Sequence, residues 1–207
     1  DIPSSLVEPD AQRSRDIADK LRQQPDEVLA CFVGSFAVYQ GIDLLFASIP
    51  YALSNNPQLR FMIIGGNDDE ITQQRAQLAR QSLDTRVDFI GKVPPDTLPD
   101  YLHAADILLA PRHSGVNTPL KVLDYFKAGR AIVATDVPSN RLILDDNTAS
   151  FANPDAKSYG DAIIKLAQDP ARRQQLADNG HRLYLDKYNF HTFKGLLSDA
   201  YATLSLN

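Results

Sequence analysis

Five short apolar runs, each separated from the next by a segment of helical spacing, constrain this chain more than any other feature. They are Val28–Val33, Leu59–Ile64, Val87–Ile90, Asp106–Ala110 and Ala131–Thr135. Their continuous apolar character marks strands buried on both faces, as in a parallel sheet. Between them lie Gly41–Ser54, Glu70–Leu83, Pro94–Ala105 and Thr118–Ala128. In the first, Ile42, Leu45, Phe46 and Ile49 share one helical face, and in the third Leu98, Tyr101 and Leu102 do so. Strand and helix alternate with short connections, which predicts an α/β fold: a doubly wound, Rossmann-like parallel sheet with right-handed crossovers.

A short helix at Pro138–Leu144 and a sixth strand at Ala149–Ala152 extend the pattern. Three successive helices at 156–169, 171–187 and 190–205 follow, with Tyr159, Ile163, Ile164 and Leu166 facing inward on the first. The expected domain lies at 28–188. Residues 1–27 read as a lead-in or inter-domain segment, with a helix near Pro9–Gln24 that stays out of the core. Residues 189–207 read as a C-terminal helix.

Composition narrows the function. Apolar residues make up 43% and charged residues 23% of 207, the balance of a globular protein. No apolar run is long enough to span a bilayer. The net charge of −5 and the lack of a basic stripe argue against nucleic acid as a partner. The one cysteine, Cys31, sits inside a strand pattern and reads as a buried thiol, and the four histidines have no metal-ligand spacing. No acidic cluster resembling Asp-x-Asp lies near Thr118–Lys121, where an anion site is expected, so neither metal nor cofactor is expected. Asp1 opens the chain without Met or a signal peptide, which reads as a fragment or a processed chain.

Glycines close three strands, at Gly34, Gly65 and Gly91, and a polar loop follows Ala110. All four loops fall at the carboxyl edge of the sheet, where doubly wound folds bind ligands. None reads Gly-x-Gly-x-x-Gly, so a dinucleotide oxidoreductase is not supported. After the polar loop 111–117, Thr118 stands as an N-cap, Pro119 as the first helical residue and Gly129 as the stop. The helix tip then offers free N–H groups and a positive dipole end to an anion. Lys121 in the first turn opposes that dipole and makes better sense beside a ligand. Asp124 shares a face with Lys121 and Leu120, roughly 9 Å from the cap at about 1.5 Å per residue, within reach of a sugar beside a bound phosphate. Taken alone, the stretch also fits a capped helix with solvated Lys and Asp.

The order and spacing of five pieces resemble the C-terminal, donor-binding domain of the group 1 family of retaining glycosyltransferases, which have the GT-B fold. The pieces are Phe32–Leu45 (FVGSFAVYQGIDLL), Phe61–Gly66 (FMIIGG), Val87–Val93 (VDFIGKV), Ala105–Pro111 (ADILLAP) and Thr118–Asp136 (TPLKVLDYFKAGRAIVATD). The resemblance implies that the Gly34–Gly41 loop, including Ser35 and Gln40, lies against a donor diphosphate. It implies that Gly65 and Gly66 line the cleft and that Lys92 and Val93 hold the nucleobase. Thr118, Pro119, Leu120 and Lys121 would take the diphosphate, with Arg112 assisting, and Asp124 stands where the family has a ribose-binding Glu.

Three positions depart from the family pattern. Val116 stands where a Glu often holds sugar hydroxyls, and Ser35 and Gln40 stand where the first loop often has Arg or Lys. The resemblance implies a nucleotide diphosphosugar as donor, a hydroxyl as acceptor, and a missing N-terminal acceptor-binding domain, so that this chain alone is inactive. It implies a cytoplasmic location, with any peripheral membrane contact made through the missing domain. No catalytic acid or base is assigned; His113 reads as a surface residue. The departures keep a second reading open, a non-catalytic nucleotide- or sugar-binding module of the same fold. A nucleotide-sugar epimerase shares the fold, but no residue here favours it.

Overall fold

The computed structural model describes residues 3–113, 118–190, 192–194 and 198. In chain order the elements are α1 (Ala11–Leu21), β1 (Val28–Val33), α2 (Ile42–Asn55), β2 (Leu59–Ile64), α3 (Asp68–Ala79), β3 (Val87–Gly91) and α4 (Leu98–Ala104). They continue with β4 (Ile107–Ala110), α5 (Lys121–Ala128), β5 (Ala131–Thr135), α6 (Pro138–Arg141), β6 (Ser150–Ala152), α7 (Ala156–Gln168) and α8 (Pro170–Lys187). The six strands form one parallel sheet in the order β3-β2-β1-β4-β5-β6. The order reverses between β1 and β4, which opens a crevice at their carboxyl ends.

Side chains alternate across each strand and feed two cores. Ala30 and Phe32 of β1 pack with Leu45 and Ile49 of α2 and with Tyr159 and Ile163 of α7. Leu29 and Cys31 face the other way, toward Leu102 of α4, Leu123 and Phe126 of α5, and Tyr184 of α8. The two fully buried tyrosine hydroxyls are satisfied: Tyr159 donates to the Val133 carbonyl at 3.0 Å and Tyr125 to the Leu109 carbonyl at 3.2 Å. Cys31 is fully buried, and burial pushes its thiol far above the ordinary range, so it stays protonated.

Two expectations need correction. The segment before β1 does contribute to the core. α1 packs along α4 and buries Ser14, Ala18 and Leu21, because Ile17 and Leu21, four apart, form a stripe that covers α4. Asp10 caps α1, accepting from the Gln12 and Arg13 N–H groups, and its own N–H donates to Asp100 at 2.6 Å. The second correction concerns α5, which begins at Lys121, with no capping bond from Thr118. The expected helix over 190–205 lies largely outside the described residues, as does Val116. No helix among the described residues is long and apolar enough to cross a membrane.

Candidate donor site at the carboxyl edge

The strand ends are drawn together by backbone bonds. The Gly34 N–H donates to the Ile64 carbonyl at 3.0 Å, and the Gly65 N–H donates to the Gly91 carbonyl at 2.8 Å. Gly65 has a φ of 115°, and a methyl group there would overlap the Gly34 carbonyl. Gly41 has a φ of 74°, and a methyl group there would overlap the Pro111 carbonyl. The loop from Gly34 to Gly41 is therefore pressed between the loops that follow β2 and β4, at an approach that only glycine permits. His113 fixes the same junction, with Nε2 3.0 Å from Oδ1 of Asp43 in the first turn of α2.

The chain enters α5 by a tight turn. The Val122 N–H donates to the Pro119 carbonyl at 2.9 Å and the Leu123 N–H to the Leu120 carbonyl at 3.0 Å. Leu120 therefore occupies the cap position, and its apolar side chain has no acceptor to offer. The tip of α5 has no side-chain cap. Lys121 then reaches across the crevice. Its Nζ donates to the Val33 carbonyl at 2.9 Å, lies 4.8 Å from the centre of the Phe32 ring, and would sit 3.1 Å from a Cβ at Gly34. Burial, and then the nearby Arg112 charge, lower its pKa from 10.5 to about 8.

A cavity of about 380 Å³ opens here. Gln40, Arg112, Thr118, Pro119, Leu120 and Lys121, all expected from the sequence, line it together with Ala110 and Asn140. Its described lining carries two cations and no carboxylate, so it suits an anion. Asn140 was not foreseen. It is fully buried, and its Nδ2 donates to the Thr135 carbonyl at 2.9 Å and to Thr135 Oγ1 at 3.0 Å. The Thr135 hydroxyl in turn donates to the Arg112 carbonyl. This network fixes the start of the loop that carries Arg112. The only signal for Asn140 in the sequence was a polar residue shortly after a strand end.

Other expected residues stand around this cavity without lining it. Gly34 touches it through Lys121; exposed Ser35 follows in the same loop; Gly65 backs onto Gly34, and Gly66 lies against the Phe36 ring. Lys92 is exposed, and Val93 packs against the core on the α4 side. Asp124 is separated from the cavity. It lies one turn down α5 in a small recess with Leu6, Val7, Pro9 and Leu102. Burial raises its pKa, against the hydrogen bond from the Ser4 hydroxyl and the charge of Lys127. Lys127 also donates to the Leu6 carbonyl and lies 3.1 Å from Glu8. The N-terminal segment thus covers the helix face on which the sequence placed a ribose acceptor. Among the described residues no group of three or more His, Cys, Asp or Glu is placed to hold a metal ion.

Residues 27–169 match the family model described as group 1 glycosyl transferases, more than half of the chain. The chain belongs to that family. It is 26% identical over 170 residues to a phosphatidyl-myo-inositol mannosyltransferase of Mycolicibacterium smegmatis, covering 80% of this chain and 42% of that protein. The structure of the C-terminal domain of the group 1 protein LpcC from Francisella tularensis superposes with a TM-score of 0.75 at 20% identity, covering 92% of this chain and all of that one. Anabaena Alr3699/HepE, solved in complex with UDP, superposes with a TM-score of 0.82 at 12% identity, covering 98% of this chain and 57% of that one. The fold is that of GT-B glycosyltransferases. The chain spans less than half the length of that mannosyltransferase.

Proposed function

We propose that this domain binds the nucleotide diphosphosugar donor of a retaining glycosyltransferase that moves a glycosyl group to a hydroxyl acceptor. The observation that carries the reading is the cavity at the β1/β4 switch point, with Lys121 and Arg112 in its wall and no carboxylate among its described lining. As the bond between sugar and phosphate breaks, negative charge builds on the departing diphosphate. Lys121, Arg112 and the N–H groups at the α5 tip would meet that charge without a metal ion or other cofactor. The Anabaena protein of the same fold was solved in complex with UDP, which supports a nucleotide as the ligand. The acceptor site would lie on a second, N-terminal domain outside this chain, which also leaves any membrane contact of a cytoplasmic enzyme to that domain.

Calorimetric titration of the 207-residue chain with a panel of nucleoside diphosphates and their sugars tests this reading. Lys121→Ala should weaken diphosphate binding by about tenfold, from the loss of a charge-assisted hydrogen bond. The effect should shrink in high salt and vanish for a nucleoside without phosphate. Asp124 can take the ribose hydroxyls only if Ser4 and its neighbours give way. Asp124→Ala should then cost more against a ribonucleotide than against its 2′,3′-dideoxy analogue, and equal losses would withdraw that role. No sugar transfer to an added acceptor is expected from this chain alone. The uncharged Gln40 in the cavity wall favours a second reading, a non-catalytic module of the same fold. Nucleotide binding without donor turnover, once the chain is joined to an N-terminal acceptor domain, would select it.

A further inference from the structure

The opposite edge of the sheet holds a second cationic pocket that the donor site does not use. It measures about 300 Å³ and lies between α1 and the segments that lead into β4 and β5. Arg15 and Arg22 of the α1 region, His103 at the end of α4, Asp106 before β4 and Arg130 before β5 line it. Three guanidinium groups thus face one carboxylate. One oxygen of that carboxylate is already committed: Asp106 Oδ2 accepts from Arg22 Nη2 at 2.8 Å and from the Leu29 N–H at 2.7 Å. Arg130 is held by its Nη2, which donates to the His103 carbonyl, and exposed Arg15 donates to Gln12 at 2.9 Å.

Two donors remain. The Nε–H groups of Arg22 and Arg130 are buried and have no hydrogen-bond partner. A buried charged donor left unpaired is costly. Here the two arginines that carry them line one cavity from different elements, in a chain whose net charge is −5. A guanidinium presents Nε–H and Nη–H as a fork that matches an oxyanion. Forks converging from α1 and from the β5 entrance suit a tetrahedral anion, which presents oxygens in several directions, better than a planar carboxylate.

We propose that this pocket is a phosphate-binding site, distinct from the donor cavity and on the other edge of the sheet. Its ligand is a phosphate group carried by a small molecule or by a lipid headgroup, with Arg22 and Arg130 as its buried anchors and Arg15 at its mouth. Asp106 holds Arg22 in place and limits the net positive charge, so binding is reversible and salt-sensitive. The site is built from this chain alone and does not use the donor cavity.

The test is to follow the arginine Nε–Hε resonances of the 207-residue chain while inorganic phosphate is added, with sodium acetate at equal ionic strength as control. The Arg22 and Arg130 signals should move and saturate with phosphate and stay in place with acetate. Arg15→Gln, at an exposed position that does not endanger folding, should weaken that phosphate affinity by about fivefold, as expected for a partly screened charge. Lys121→Ala should leave the Arg22 and Arg130 shifts unchanged, which separates this site from the donor cavity. Co-sedimentation with phosphatidylcholine vesicles containing phosphatidic acid identifies the source: binding lost in Arg15→Gln assigns a lipid headgroup, and no binding assigns a soluble phosphate compound. Static Arg22 and Arg130 signals, or equal movement with acetate, would overturn the proposal and leave the two Nε–H groups to ordered water.

Discussion

The two edges of the sheet each gather positive charge, but by different chemistry. At the carboxyl edge the key cation is an amine, Lys121, buried against the Val33 carbonyl and the Phe32 ring with its pKa lowered to about 8. At the amino edge the cations are guanidinium groups, balanced in part by Asp106. An amine in that position can lose its charge near neutral pH, whereas arginine keeps its charge. The carboxyl edge is also built on backbone contacts that only glycine allows, while the amino edge is built from side chains. One edge is therefore sensitive to pH and to any added Cβ, and the other to the balance of fixed charges.

The largest expected effect breaks the glycine contacts. Gly65→Ala forces a methyl group onto the Gly34 carbonyl at a φ of 115°. It should cost about 2–5 kcal/mol of stability, from the strained backbone together with the overlap. Denaturant unfolding measures it. A loss below about 1 kcal/mol would show that the loop ends are not locked together as described.

Next in size is the titration of Lys121, which separates the two edges. Raising the pH from about 7 to about 9 should lower nucleoside diphosphate affinity by up to about tenfold, because the charge disappears around 8. Phosphate binding at the arginine pocket should be far less affected over the same range. The same shift has a consequence for stability. The folded value of about 8 lies below the ordinary 10.5, so the folded state releases its proton first as pH rises. The burial penalty on the charge is full below about 8 and is relieved as pH climbs toward 10.5. Without ligand, the chain should therefore gain stability relative to Lys121→Met across that window, on the order of 1–3 kcal/mol. Parallel melting curves of the two proteins would expose a flat difference, which would mean the amine is better solvated than the geometry implies.

The smallest effect concerns Asp106. Asp106→Asn keeps an acceptor for the Leu29 N–H and removes the carboxylate facing the three arginines. Stability should fall by about 1 kcal/mol, the scale of a partly exposed ion pair. Phosphate affinity at the amino edge should rise severalfold while diphosphate affinity at the carboxyl edge stays constant. A fall in phosphate affinity would show that Asp106 matters more for placing Arg22 than for its charge.

Much of the molecule was legible in the order of its residues. Continuous apolar runs specified parallel strands, glycines marked the strand ends, and helical spacing set the crossovers, because burial on both faces leaves few other arrangements for such segments. Thr118 and Lys121 were placed at the crevice because every strand of a parallel sheet ends at the same edge, and Gln40 and Arg112 were placed there by the resemblance to the family. What the sequence could not reveal depends on contacts between distant segments. Asn140 reaches the cavity because Thr135 and the Arg112 carbonyl hold it there, and a single polar residue after a strand announces no such network. The face of α5 that carries Asp124 is covered by residues 4–9, more than a hundred positions away in the chain, through the Ser4 hydroxyl and Lys127. Local periodicity fixes which face a residue occupies. Only the packed tertiary structure decides what lies against that face, and hence whether a carboxylate meets a ligand or a loop.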